Sequence, residues 1–134
     1  MAALSLITAT NADALDVAMG ADTLFHQVEG ATVVTTARFR SREPGRLVFD
    51  RDAVLMGSVG STIVAANDPY LDTLPLRPGT QYLLFPRTSS DGALRFPLSR
   101  SSVVEVGAAE MPATLGAVRT FLQERLDRVR LRPA

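Results

Sequence analysis

Residues 76–106, LRPGTQYLLFPRTSSDGALRFPLSRSSVVEV, decide the fold class of this chain. Pro78-Gly79 makes a tight entry, because proline presets the first turn dihedral and glycine accepts the left-handed one. Tyr82, Leu83, Leu84 and Phe85 follow as a dense β-forming run. Asp91-Gly92 has the composition of a hairpin tip. Beyond it Leu94, Phe96 and Leu98 alternate with Arg95, Pro97 and Ser99, the period of a half-buried strand. Val103, Val104 and Val106 predict one more short strand, so a β core is laid down before the chain turns helical.

Upstream the pattern is also β. Residues 31–42 (ATVVTTARFRSR) are dense in Val and Thr, and they end with Ala37 and Phe39 on one side and Arg38, Arg40 and Arg42 on the other. Glu43-Pro44-Gly45 turns the chain. Residues 46–56 (RLVFDRDAVLM) return, with Leu47 and Phe49 opposed to Asp50 and Asp52 and a bulge expected before Val54. Residues 57–60 (GSVG) link to a third strand over residues 61–66 (STIVAA), and residues 67–75 form an irregular loop. The GSVG stretch lacks the Lys and the following helix of a phosphate loop, so it reads as a turn.

Helices flank this core. Thr10 and Asn11 can cap a first turn, Asp13 and Asp16 suit a helix N-terminus, Leu15, Ala18 and Met19 share a face, and Gly20 ends the run. A second turn from Asp22 carries Leu24, Phe25 and Val28 inward. The clearest helix covers residues 112–130, where Leu115, Val118, Leu122, Leu126 and Val129 recur at helical spacing beside Phe121. Together these elements predict a mainly β single domain over residues 1–134. Its core is a small OB-like barrel of five to six strands over residues 30–107, with a C-terminal helix and a short N-terminal helical segment.

Bulk properties narrow the function classes. A length of 134 residues, 46% apolar and 21% charged, belongs to an ordinary globular domain. Formal net charge is zero, so no global field draws the chain onto nucleic acid or an anionic membrane. All 14 basic residues are Arg, a bias that fits codon usage in a GC-rich genome. With no cysteine there is no disulfide, thiolate nucleophile or sulfur-ligated metal. No apolar run approaches the length of a membrane span. No Lys or Arg precedes Arg38, so the start does not read as a signal peptide. That leaves a cytoplasmic protein and an exported one already trimmed of its signal as the two expectations for localisation.

Read in order, ATVVTTARF, RLVFDRDAVLMG, STIVAA, PGTQYLLF and SVVEV resemble the netrin-like branch of the OB-fold barrels, shared with tissue inhibitors of metalloproteases. The resemblance covers residues 30–107 and implies a barrel that binds rather than catalyses. The inhibitors depend on an N-terminal cysteine and on disulfides, which this chain lacks, so no inhibitory residue carries over.

Candidate chemistry is sparse. His26 is the only histidine, with no nucleophile elbow or metal-ligand spacing nearby, and it reads as structural or solvent-facing. Asp50 and Asp52 share a strand face, and the turn at Glu43-Pro44-Gly45 sets them opposite Arg38 and Arg40. The expected outcome is a cross-strand charge ladder that finishes a solvated face. The same arginines could instead present a basic strip, so Arg38, Arg40, Arg42, Arg46 and the loop aromatic Tyr70 form the candidate interaction surface. No catalytic, cofactor or metal residue is assigned. Residues 1–30 carry Asp13, Asp16, Asp22 and Glu29 with no basic partner, whereas residues 119–132 carry five Arg against Glu124 and Asp127, so the two ends either pair, within or between chains, or form two solvated faces. The leading expectation is a non-enzymatic module acting through a protein partner or self-association. A nucleic-acid- or glycan-binding barrel using the Arg-rich strand is the alternative, and an enzyme of unrecognised type comes third.

Overall fold

A computed structural model describes residues 21–131. The helical turn expected between Thr10 and Gly20 lies outside the described residues. The chain is mainly β, with seven strands in one sheet that curls into a half-barrel, a short N-terminal helix and a long C-terminal one. It divides into two compact units, Gly30–Glu105 and a helical unit built from the chain on either side of that stretch.

In the β unit, β1 (Val34–Glu43) and β2 (Arg46–Met56) form the long hairpin that turns at Pro44-Gly45. Gly45 has a φ of +75°, which suits glycine in so tight a turn. Strand β3 (Thr62–Ala66) pairs with β2, and β4 (Gln81–Leu84) pairs with β1 on the other side. Strands β5 (Arg87–Thr88) and β6 (Leu94–Arg95) make the small hairpin around Asp91-Gly92, and β7 (Val103–Glu105) lies outside β4. The sheet order is β5-β6-β3-β2-β1-β4-β7.

That order dictates the curl. Only Phe85 and Pro86 separate β4 from β5, yet the two strands stand five ladder steps apart. A flat sheet would put them about 24 Å apart, at roughly 4.8 Å per step. Three Cα–Cα links reach at most about 11 Å. The sheet must therefore bend back on itself, and the closure is visible as hydrogen bonds. Pro86 carbonyl oxygen accepts the N–H groups of Thr32 (3.1 Å) and Val33 (3.2 Å). Thr88 N–H donates to Thr32 Oγ1 (2.7 Å), and Arg87 Nη1 reaches Gly30 carbonyl (3.2 Å). The segment that holds β6 and β7 spans the same opening, since β6 pairs in parallel with β3 while β7 pairs antiparallel with β4.

The strand after Asp91-Gly92 therefore does not return along Tyr82–Phe85 as a simple hairpin. Pro86 has no N–H to offer a ladder, so the chain leaves β4 there, and the tip hairpin crosses to the far edge. Short edge strands of two residues account for the seven strands found against five to six expected.

Bulges supply the bend. Two extra residues of β2 stand against β1 near Val54, where the broken alternation of Asp52 and Val54 predicts an irregularity. Thr35 and Thr36 meet the freed backbone groups there. Thr35 hydroxyl donates to Ala53 carbonyl (2.8 Å), and Thr36 hydroxyl accepts Ala53 N–H (3.2 Å). A third irregularity sits at Arg40, between the pairs Phe39–Phe49 and Ser41–Val48.

The concave face is the core. Ala37, Phe39, Leu47, Phe49, Ile63, Ala65, Tyr82, Leu84, Phe96 and Val103 fill it, joined by Leu71 from the loop. Phe49 is its hub, edge-on to Phe39 (5.4 Å), Phe96 (6.3 Å) and Tyr82 (6.5 Å between ring centroids). Tyr82 buries its ring and still satisfies its hydroxyl, which accepts Arg77 N–H at 3.0 Å.

In the helical unit, α1 (Ala21–Gly30) buries Leu24, Gln27 and Val28. Helix α2 runs Met111–Leu131, within one residue of the sequence expectation. The two meet through the Phe25 and Phe121 rings (5.8 Å), Arg125 Nη1 on Val28 carbonyl (2.8 Å), and an Arg128–Glu29 ion pair with Arg128 also over the Phe25 ring. The apolar stripe of α2 is not buried along its whole length. Val118 is fully buried and Leu115 and Leu122 are half-buried, but Leu126 is 43% exposed and Val129 59%. Helical spacing places these residues on one face; it cannot say how far the neighbouring chain extends along that face.

Candidate interaction surface

Strand β1 sets Arg38 and Arg40 on the convex face, opposite β2. Arg40 pairs with Asp50, and Arg38 lies 3.7 Å from Asp52. The ladder is wider than two strands. Gln81 on β4 donates to Asp52 (2.9 Å), Arg40 also reaches Thr62 on β3 (3.4 Å), and Arg38 donates to Gly79 carbonyl (3.0 Å). The hydrogen bond to Asp50, followed by the charge of that carboxylate, raises the Arg40 pKa further above the ordinary arginine range. Gln81 and Thr62 could not be read into the ladder from sequence, because their membership depends on which strands flank the hairpin.

Arg42 leaves this face. The bulge at Arg40 shifts the alternation by one residue, so Ser41 stands opposite Val48 and Arg42 opposite Leu47. Directly opposed residues share a face, so Arg42 joins the side of the core residue Leu47. Its guanidinium clamps the loop end, donating to the carbonyls of Leu71 (3.0 Å) and Leu74 (2.9 Å) beside Asp72 (3.7 Å). At 31% exposure it has the least exposed side chain of the four candidate arginines. Arg46 stays at the hairpin end, paired with Glu43 at 2.8 Å. The expected continuous strip is thus two arginines on the convex face, one clamp at the rim and one at the turn.

An open cleft of about 520 Å³ lies at the same end, between the Glu43-Pro44-Gly45 turn and Asn67, Asp68, Pro69 and Asp72. Its polar side chains serve the loop. Asp68 accepts the N–H groups of Tyr70 (2.8 Å) and Leu71 (3.0 Å), and Asn67 donates to Asp72 (2.7 Å). The Asn67-Asp68-Pro69 sequence carried that turn signal. Tyr70 projects outward at 70% exposure.

His26 is exposed on α1, edge-on to Phe25. Gly57 takes a φ of +83°, and Arg51 holds the turn after it by donating to Val59 carbonyl (2.8 Å). Among the described residues no cluster of three or more His, Asp or Glu side chains is placed to hold a metal ion. None of their helices is long and apolar enough to cross a membrane. The largest exposed apolar side chains outside the β unit are Leu126, Val129 and Leu131 (83% exposed) at the end of α2, which the helical pattern had marked as inward-facing or left unassigned. No protein-family model, curated protein or solved structure matches this chain.

Proposed function

We propose that this protein is a non-enzymatic binding or assembly module that works through protein–protein contact, self-association included. The observation that supports this most is the exposed apolar end of α2. Leu126, Val129 and Leu131 put large hydrophobic side chains into water on a well-formed helix, an arrangement that favours a docking face. The netrin-like OB assignment belongs to the same proposal. A small, partly open and mainly antiparallel barrel with one interrupted strand across its opening is compatible with it.

The nucleic-acid or glycan alternative draws less support. Each of Arg38, Arg40, Arg42 and Arg46 has a carboxylate within 4 Å, which cancels the field a phosphate backbone would feel. The large aromatic rings of the β unit lie mostly in the core, leaving Tyr70 as an exposed stacking platform.

Mass in solution across a concentration series tests the proposal. The full chain should associate as concentration rises, and Leu126→Gln with Val129→Gln should abolish association at an unchanged melting temperature. A full chain that stays monomeric throughout would refute self-association, and salt-sensitive binding to single-stranded oligonucleotides would move the alternative ahead.

A further inference from the structure

We infer that Arg87 and Arg95 form a binding site for the phosphate group of a phosphate monoester. The inference does not rest on the docking face of α2, because every group of this site lies in the β unit. Arg87 on β5 stands directly opposite Arg95 on β6. Two residues further on, Ser89 N–H donates to Ala93 carbonyl (2.8 Å), so the two arginines form a hydrogen-bonded pair with Cα atoms about 5.5 Å apart. Directly opposed side chains share a face, and this face is turned away from the core, against which Leu94 of the next pair packs. Both arginines are exposed. Like charges set opposite each other destabilise a hairpin. The β1–β2 ladder does the reverse, with Arg38 beside Asp52 and Arg40 beside Asp50.

Compensation within the hairpin is incomplete. Among the described residues Arg87 has no carboxylate at salt-bridge distance, and its Nη1 donates to Gly30 carbonyl instead (3.2 Å). Arg95 has Asp91 at 3.9 Å, while its Nε donates to Ser89 hydroxyl (3.0 Å). Each guanidinium is thus tethered through one nitrogen and keeps further N–H donors. A carboxylate or a phosphodiester brings one negative charge, enough for one of the two opposed cations. A phosphate monoester brings nearly two charges and three terminal oxygens, so it accepts bonds from both guanidiniums at once. The pair stands on an exposed face, so the phosphate group itself is what it reads.

Methyl phosphate and dimethyl phosphate, titrated into the full chain and followed by NMR of the hairpin residues, separate a dianion from a monoanion. At about pH 8, where the monoester is doubly charged, it should bind about tenfold more tightly than the diester. Arg87→Gln and Arg95→Gln should each weaken methyl phosphate binding about tenfold without lowering the melting temperature. Asp91→Asn should strengthen it several-fold, because it removes the competing charge and keeps the Oδ1 that accepts Ala93 N–H (3.0 Å). A phosphoserine tripeptide should compete for the same resonances. Tighter binding of that peptide would make a phosphorylated chain the carrier, equal binding would make it a free phosphate ester, and either upholds the site. Equal affinity for the two methyl esters would overturn the match to a dianion. Failure to bind methyl phosphate, or binding that survives Arg87→Gln with Arg95→Gln, would overturn the site itself.

Discussion

Arg42 stands directly opposite the core residue Leu47 across the β1–β2 ladder, on the other side of the sheet from Arg38 and Arg40. One bulged residue produces this, and it turns a surface arginine into a clamp on the carbonyls of Leu71 and Leu74. Arg42→Gln should therefore destabilise the protein by about 1–3 kcal/mol, the range for a lost charged hydrogen bond at partly buried acceptors. Arg46→Gln, which loses only an exposed pair with Glu43, should cost under about 1 kcal/mol. Urea unfolding of both variants checks the order, and equal costs would show that the clamp contributes nothing.

The convex ladder should be nearly silent in stability. Arg38→Gln with Arg40→Gln removes two half-exposed ion pairs, so the melting temperature should fall by less than about 4 °C. If the two arginines finish a solvated face, binding to any partner identified through α2 survives this change. Loss of that binding at an unchanged melting temperature would reassign the ladder to recognition.

Phe49 should be the most sensitive side chain of the β unit. It is fully buried and edge-on to three other rings, so Phe49→Ala removes the common neighbour of Phe39, Tyr82 and Phe96. The expected cost is about 3–5 kcal/mol. Chemical denaturation should show it, with a midpoint shift far larger than for Phe25→Ala on the half-buried helix face.

Two glycines with similar dihedrals should respond differently to alanine. Gly45 (φ +75°) has open space where a Cβ would go, so Gly45→Ala should cost about 1–2 kcal/mol from backbone strain alone. At Gly57 (φ +83°) a Cβ would lie 2.4 Å from Thr32 carbonyl oxygen and 3.0 Å from Val33, so the same change must also displace backbone. Gly57→Ala should be clearly the more destabilising, and calorimetry on the pair checks it.

Local pattern alone determined a good part of this protein. The Val- and Thr-rich runs, the alternation of Leu47 and Phe49 with charged residues, the Glu43-Pro44-Gly45 turn and the helix near residues 112–130 are all present where composition and period place them. These features depend on dihedral preference and on which side chains avoid water, both written in a few consecutive residues. The Arg–Asp ladder was legible for the same reason, since a tight turn sets the register of the two strands it joins.

Only the tertiary structure decided which strands became neighbours. Pro86 ends β4 and sends the Asp91-Gly92 hairpin to the far edge, because the curled sheet brings that edge within reach of a two-residue link. The bulge at Arg40 decided the side on which Arg42 lies, and a single extra residue inverts every alternation read beyond it. The exposed end of α2 was hidden for a related reason. Leu126 and Val129 have the spacing of buried residues, and whether a side chain at that spacing is covered depends on chain distant in sequence.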